Sequence, residues 1–335
     1  MKITCWVGVG AVVFALSATS FGAGSQPVRA RHGMVVAQER LAVGAGVRTL
    51  LAGGGAIDAA VTTAFALAVT HPAGGNIGGG GFIVYRPVLG EAIAYDFREV
   101  APAAADAEMF LVDGAYDARR HHNGHLAVGV PGTVAGLYLA WQDHGRLPWR
   151  RVVEPAIALA RDGFALSHEL ATSLASVLPS MQRYPASVSA FSNDGEPYES
   201  GDVFRQPDLA QTLGRIAADG PAGFYAGETA RLIEREMDAN GGLINRSDLE
   251  NYSVERREPI RGSYRGYEII TMPPISSGGT ALVEMLNILE GYDLRAAGHG
   301  SALNVHRMVE AMRRAYADRA RYLGDPAFNP LMPIT

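Results

Sequence analysis

The sequence predicts an α+β fold, an antiparallel sheet covered by helices. Three observations point there. Two β-rich runs, 82–85 and 92–97, flank a short Pro/Gly turn at 87–90 and read as an antiparallel hairpin. Neither run alternates cleanly, so both of its faces are expected to be covered. Helix-periodic stretches are interspersed with such hairpins without a regular βαβ rhythm, which argues against a parallel sheet. The chain of 335 residues is 48% hydrophobic and 19% charged, enough for a sizeable core and unlike a disordered or fibrous protein.

Taken in order, residues 39–52 have helical spacing, and Gly53 to Gly55 break it as a C-cap would. Residues 56–69 form a second helix in which Ala59, Ala60, Ala64, Ala66 and Ala68 let another element approach closely. Glycines at 74, 75 and 78–81 then lead into the hairpin. Pro131 and Gly132 open a helix through Trp141 that stops at Gly145, and 155–161, ended by Gly163, is a shorter one. Ser167 is placed to N-cap a helix over 168–178. Residues 181–201, rich in Ser, Pro, Asn, Asp and Gly, read as a loop. Two more helices are expected at 207–218 and 228–240, and Ser247-Asp-Leu-Glu250 matches a capping box. Residues 253–272 return to strand character with a turn at Tyr264-Arg-Gly266. Helices follow at 280–290 and 302–323, the latter with Arg313, Arg314, Arg319 and Arg321 on a solvated or salt-bridged face. There is no internal repeat.

The composition excludes several chemistries. A net charge of −5, with arginines dispersed among acids, gives no basic stripe for nucleic acid. Lys2 is the only lysine and Cys5 the only cysteine. The body of the chain therefore has no Schiff-base or P-loop lysine, no cysteine nucleophile, no thiolate metal site and no internal disulfide. At the N-terminus, Lys2, an apolar run over 5–18 and small residues at Ala18-Thr-Ser and Ser20-Phe-Gly read as a secretory signal. The run is shorter than the roughly 20 residues of a spanning helix. The expectation is a signal over 1–23, a mature region over 24–335 without a membrane anchor, and a periplasmic or secreted protein.

Four clusters invite a functional reading. The glycines of 74–81 lack the G-x-G-x-x-G spacing and precede a strand, where a dinucleotide fingerprint needs a strand before and a helix after; close backbone packing explains them better. His121, His122 and His125 beside Asp117 lack a second ligand motif and read as a polar surface loop rather than a metal site. Ser276 and Ser277 lack the G-x-S-x-G elbow, because Pro274 and Ile275 precede them, and suit a helix N-cap. Arg98 is different. An arginine at the end of a buried strand requires a carboxylate, which is Asp96, Glu99 or the end of an amino-acid-like substrate matched to the guanidinium fork.

Nine segments, in order from Gly33 to Phe328, carry a family resemblance. They are GMVVAQERLAVGAGVRTLLAGGGAIDAAV, GNIGGGGFIVYR, DFREVAP, VGVPGTVAGLYLAWQDHGRLPW, EPAIALARDGF, GFYAGETARLI, GGLINRSDLENY, MPPISSGGTALVEMLNILEGYDL and ADRARYLGDPAF. With these the chain resembles the N-terminal, large-subunit part of the γ-glutamyltranspeptidases, also called glutathione hydrolases. The resemblance implies an N-terminal-nucleophile (Ntn) hydrolase fold, a four-layer αββα sandwich, here incomplete because only the large-subunit part is present. It implies no cofactor, γ-glutamyl substrates such as glutathione, and a small subunit cut from the same precursor as partner. It also implies that Arg98, in the DFRE segment, binds the substrate α-carboxylate.

In the family a threonine freed by self-cleavage is the nucleophile and its α-amine the base, in a segment beginning Thr-Thr-His or Thr-Ser-His. Thr335, after Asn-Pro-Leu-Met-Pro-Ile, does not match that motif, so the nucleophile is expected beyond residue 335. The expected function is a γ-glutamyltransferase or glutathione hydrolase as the complete precursor, with this chain alone inactive. The alternatives are a catalytically silent truncated secreted protein and a cephalosporin-type side-chain acylase of the same fold.

Overall fold

A computed structural model describes residues 27–333. Residues 27–34 are a small unit of their own without helix or strand, and residues 35–333 are the folded body. The expected secretory signal and Thr335 lie outside the described residues. No helix among the described residues is long and apolar enough to cross a membrane.

The body starts with two helices, α1 (Arg40–Leu51) and α2 (Ala56–Thr70). They pack closely because small residues line their seam: a Cβ at Gly46 would overlap the Thr63 hydroxyl, and Ala42, Ala45 and Ala66 are fully buried. The Asp58 carboxylate is also fully buried, in the first turn of α2. It accepts from the backbone N–H of Gly55 (2.7 Å), Arg146 (3.0 Å) and Leu147 (3.2 Å). Backbone donors and the positive end of the helix offset the desolvation of that charge.

The hairpin forms as expected, β1 (Phe82–Tyr85) antiparallel to β2 (Ile93–Asp96). A two-stranded ribbon, β3 (Leu111–Val112) with β4 (Ala115–Tyr116), leads to the short helix α3 (Ala118–His122), where the sequence had suggested a loop. The Asp117 carboxylate makes that helix possible by accepting from Arg119 and Arg120 N–H. Helix α4 (Thr133–His144) ends at Gly145 as expected.

Helix α5 (Trp149–Asp162) begins six residues before the expected start at Pro155, which lies inside it. An interior proline costs about 3 kcal/mol. Burial of Trp149, Val152, Val153, Ala156, Ile157 and Ala160 along one stripe outweighs it. Then come β5 (Phe164–Ala165), α6 (His168–Met181) with Ser167 as its N-cap, and α7 (Pro185–Phe191). α7 sits inside the stretch expected to be a loop; Phe191 packs on buried Phe204 of β6 (Val203–Phe204), which overrides its polar composition.

Helices α8 (Pro207–Asp219), α9 (Ala222–Tyr225), α10 (Gly227–Asn240) and α11 (Arg246–Glu250) follow. The capping box of α11 is Asn245 with Asp248, not Ser247 with Glu250: Asn245 Oδ1 accepts from Asp248 N–H and Asp248 Oδ2 from Asn245 N–H, each at 3.0 Å. Strand β7 (Glu255–Arg257) joins β2, giving the sheet order β1-β2-β7. A separate hairpin, β8 (Ile260–Tyr264) and β9 (Tyr267–Thr271), turns at Arg265 and Gly266, both with positive φ as a tight hairpin turn requires. Helix α12 (Ser277–Glu290) packs on β8 and on α14 (Ala302–Tyr322), with α13 (Leu294–Ala297) between them in sequence.

The main core lies between the three-stranded sheet and the helices. Val61 and Phe65 of α2, Tyr95 of β2, Phe97 beyond it, Val134 and Leu137 of α4, Val152 of α5 and Leu213 and Ile216 of α8 meet there. The architecture is α+β with antiparallel sheets, as the sequence predicts.

Candidate functional site

Arg98 stands two residues beyond the end of β2, and its side chain is exposed while the backbone around it is fixed on every side. Behind it, Phe97 and Gly81 exchange a pair of backbone hydrogen bonds (3.1 and 3.2 Å). Ahead of it, Val100 bridges Val130 in the same antiparallel manner (2.8 and 3.3 Å). The Arg98 N–H donates to Asp96 Oδ1 at 3.2 Å, and its carbonyl accepts from the Tyr252 hydroxyl at 2.9 Å.

The glycine-rich segment serves this backbone. A Cβ on Gly80 would lie 2.6 Å from the Phe97 carbonyl and 2.7 Å from the Glu99 nitrogen, so only glycine admits the approach. The Gly79 carbonyl takes the N–H groups of Gly132 (2.7 Å) and Thr133 (3.0 Å) at the start of α4. Asn76 Oδ1 ties the loop again, accepting from Gly79 N–H and the Thr133 hydroxyl. Close packing thus accounts for Gly75, Gly80 and Gly81, while a Cβ on Gly78 would meet open space.

Tyr252 stacks on Tyr225 with ring centroids 5.7 Å apart and planes within 6°. The Tyr225 hydroxyl donates to the Pro131 carbonyl at 2.8 Å and accepts from Ala135 N–H. Burial, foremost, pushes both phenols above their ordinary range, so both remain proton-bearing donors at any physiological pH. The stacked pair holds the carbonyls of Arg98 and Pro131 in one rigid frame.

Strand alternation places Arg256 and Arg257 of β7 on opposite faces of the sheet. On one face Arg256 makes a bidentate contact with Asp143 of α4 (2.8 and 2.9 Å), and the Tyr95 hydroxyl donates to the same carboxylate at 2.8 Å. On the other face Arg257 Nε donates to Asp96 Oδ2 at 2.7 Å. Two of the carboxylate choices that the sequence left open for Arg98 are thereby corrected. Asp96 is taken by Arg257, Glu99 is exposed, and among the described residues the Arg98 guanidinium forms no hydrogen bond or ion pair. Sequence reasoning missed Arg257, Tyr252 and Tyr225; the only local signal was a doubled arginine in a strand.

The other clusters are occupied elsewhere. His125 Nε2 is 3.1 Å from Glu236 Oε1, and His121 stacks between Phe110 and His122. No group of three potential metal ligands converges among the described residues. Ser276 is the N-cap residue of α12, and the Ser277 hydroxyl accepts from Arg319 Nε at 2.8 Å. Arg313 and Arg314 pair with Glu310, as a salt-bridged face implies.

Comparison with known proteins decides the family. The gamma-glutamyltranspeptidase family profile matches residues 42–334. This chain belongs to that family. The chain is 49% identical to the glutathione hydrolase proenzyme of Escherichia coli (strain K12) over 307 residues, covering 90% of this chain and 52% of that protein. It is 43% identical to the acylase ACY 1 proenzyme of Pseudomonas sp. (strain V22), covering 90% of this chain and 56% of the relative. It thus spans about half the length of the curated relatives it matches. The solved structure of Helicobacter pylori gamma-glutamyltranspeptidase superposes with a TM-score of 0.90 at 45% identity, over 92% of this chain and 89% of that one. The fold is the Ntn-hydrolase fold of the family, here with β1-β2-β7 and β8-β9 as separate small sheets.

Proposed function

We propose that this chain is the substrate-binding, large-subunit part of a γ-glutamyltransferase or glutathione hydrolase, and that Arg98 grips the α-carboxylate of the γ-glutamyl donor. The observation that carries this reading is an exposed guanidinium on a rigid backbone that pairs with no carboxylate among the described residues. A planar fork on a fixed backbone, unpaired among the described residues, suits a bidentate carboxylate. A donor lacking that group would forgo the ion pair, which gives selectivity.

In this reading a threonine of the complete protein, in a Thr-Thr-His or Thr-Ser-His segment absent from residues 1–335, supplies the nucleophile. Its α-amine takes the hydroxyl proton as the oxygen attacks the γ-amide carbon, and the amine product leaves with a proton. The resulting ester is opened by water or an amino-acid amine, which returns the threonine hydroxyl. The stretch over 1–23 is proposed as a secretory signal that directs the protein to the periplasm or beyond.

The test is a γ-glutamyl-anilide assay on the full-length gene product. Arg98→Ala is expected to raise KM by at least about tenfold with a smaller effect on kcat. Unchanged kinetics would remove Arg98 from the site. The 43% identity to an acylase proenzyme supports a second reading, a cephalosporin-type side-chain acylase of the same fold. It predicts faster turnover of an acyl anilide without the α-amino-acid group than of the γ-glutamyl anilide.

A further inference from the structure

We infer that Arg257 is a positioning residue that keeps Arg98 available for substrate by neutralising the carboxylate best placed to capture it. The inference rests on the reading of Arg98 as the α-carboxylate clamp. Asp96 is buried, with its side chain 4% exposed, and its Oδ1 already touches the N–H of Arg98. The Arg98 side chain therefore springs from a backbone in contact with a desolvated negative charge. Such a charge strongly favours any cation that can reach it. Exposed Glu99 competes weakly, because an ion pair in water is worth little.

The strand register supplies the competitor. Asp96 lies opposite Glu255 on β7, a like-charged partner, while Arg257, opposite Ala94, is the diagonal neighbour on the same face. Arg257 reaches across that diagonal and takes Asp96 Oδ2 at 2.7 Å, leaving Oδ1 to the Arg98 N–H. One carboxylate thus orients the Arg98 backbone without holding its guanidinium. Remove Arg257, and Asp96 is left with a backbone donor alone. The guanidinium of Arg98 then folds back on Asp96, and the substrate carboxylate has to displace an internal one.

The experiment measures KM and kcat of the full-length enzyme for a γ-glutamyl anilide and for the matching anilide without the α-carboxylate. Arg257→Gln is expected to raise KM for the first by about tenfold, with kcat within about threefold and KM for the second unchanged. Adding Asp96→Asn removes the internal competitor and is expected to bring KM back to within about threefold of the wild type. A mere staple between β2 and β7 predicts the opposite, since the second substitution weakens it further. Unchanged KM in Arg257→Gln, or no recovery in the double variant, overturns the inference. Where Arg257→Gln alone does not fold, the double variant decides: near-wild-type KM supports the inference, and KM as high as that of Arg98→Ala overturns it. Arg98→Ala, run beside them, separates the two claims. Should it leave KM unchanged, the clamp reading itself fails; should it raise KM while Arg257→Gln does not, only the role of Arg257 fails.

Discussion

The Tyr252 hydroxyl donates a 2.9 Å hydrogen bond to the carbonyl of Arg98, 154 positions earlier in the chain. Tyr252→Phe keeps the ring on Tyr225 and deletes that bond alone. The expected cost is about 1 kcal/mol of stability. If the bond sets the aim of Arg98, KM for a γ-glutamyl anilide rises several-fold as well. Chemical denaturation and steady-state kinetics on one preparation check both, and a wild-type KM would show that the other contacts of Arg98 suffice.

Gly132 sits where α4 begins, and a Cβ there would overlap both the Phe97 carbonyl and the Tyr252 hydroxyl. The carbonyl cannot move without breaking its pairing with Gly81. Gly132→Ala is therefore expected to destabilise by more than about 2 kcal/mol. Combining it with Tyr252→Phe removes the hydroxyl but leaves the ring Cζ 2.6 Å from the new Cβ and the Phe97 carbonyl in place, so the melting temperature should stay low. Full recovery in the double variant would place the obstruction at Tyr252.

Asp143 ties β2 and β7 to α4, and its carboxyl is held below the usual range, first by the hydrogen bonds from Arg256 and also by that from Tyr95. A carboxylate with a depressed folded-state value contributes fully above its unfolded value, about 3.9 for Asp, and loses the contribution as pH falls below it. Half-exposed Arg256 limits the size to about 1 kcal/mol. Unfolding free energy should thus be flat near neutrality and fall below about pH 4, and Asp143→Asn should show a lower plateau with a shallower acid limb. Parallel limbs in urea titrations from pH 3 to 7 would contradict this.

Glu284 on α12 is shifted the other way, upward, by burial first and by the nearby Asp318 charge second. Its folded state prefers the proton, so ionising it at neutral pH opposes folding. Glu284→Gln is expected to stabilise by a few tenths of a kcal/mol at pH 7. The gain should vanish below about pH 4, where the wild-type side chain is itself protonated. A loss of stability at pH 7 would mean that the negative charge has a partner.

Local signals read well from the chain alone. The hairpin, its turn, the Gly145 stop and the Ser167 cap all depend on residues within a few positions of one another. The misreadings share a cause. Pro155 as a helix start, 181–201 as a loop and Ser247 as a cap all follow from rules that weigh neighbours in sequence. In the fold, the buried stripe of α5, the contact of Phe191 with Phe204, and the reciprocal pair Asn245–Asp248 decided otherwise.

The sequence by itself determined the class of fold, the family and the place of Arg98 at the tip of a buried strand, because periodicity, turn chemistry and motif order are written in adjacent residues. Only the tertiary structure decided which cation Asp96 would hold. That choice depends on strand register across 161 positions, where a one-residue slip would exchange Arg257 for Arg256. By that register Asp96 goes to Arg257, and the guanidinium of Arg98 pairs with no carboxylate among the described residues.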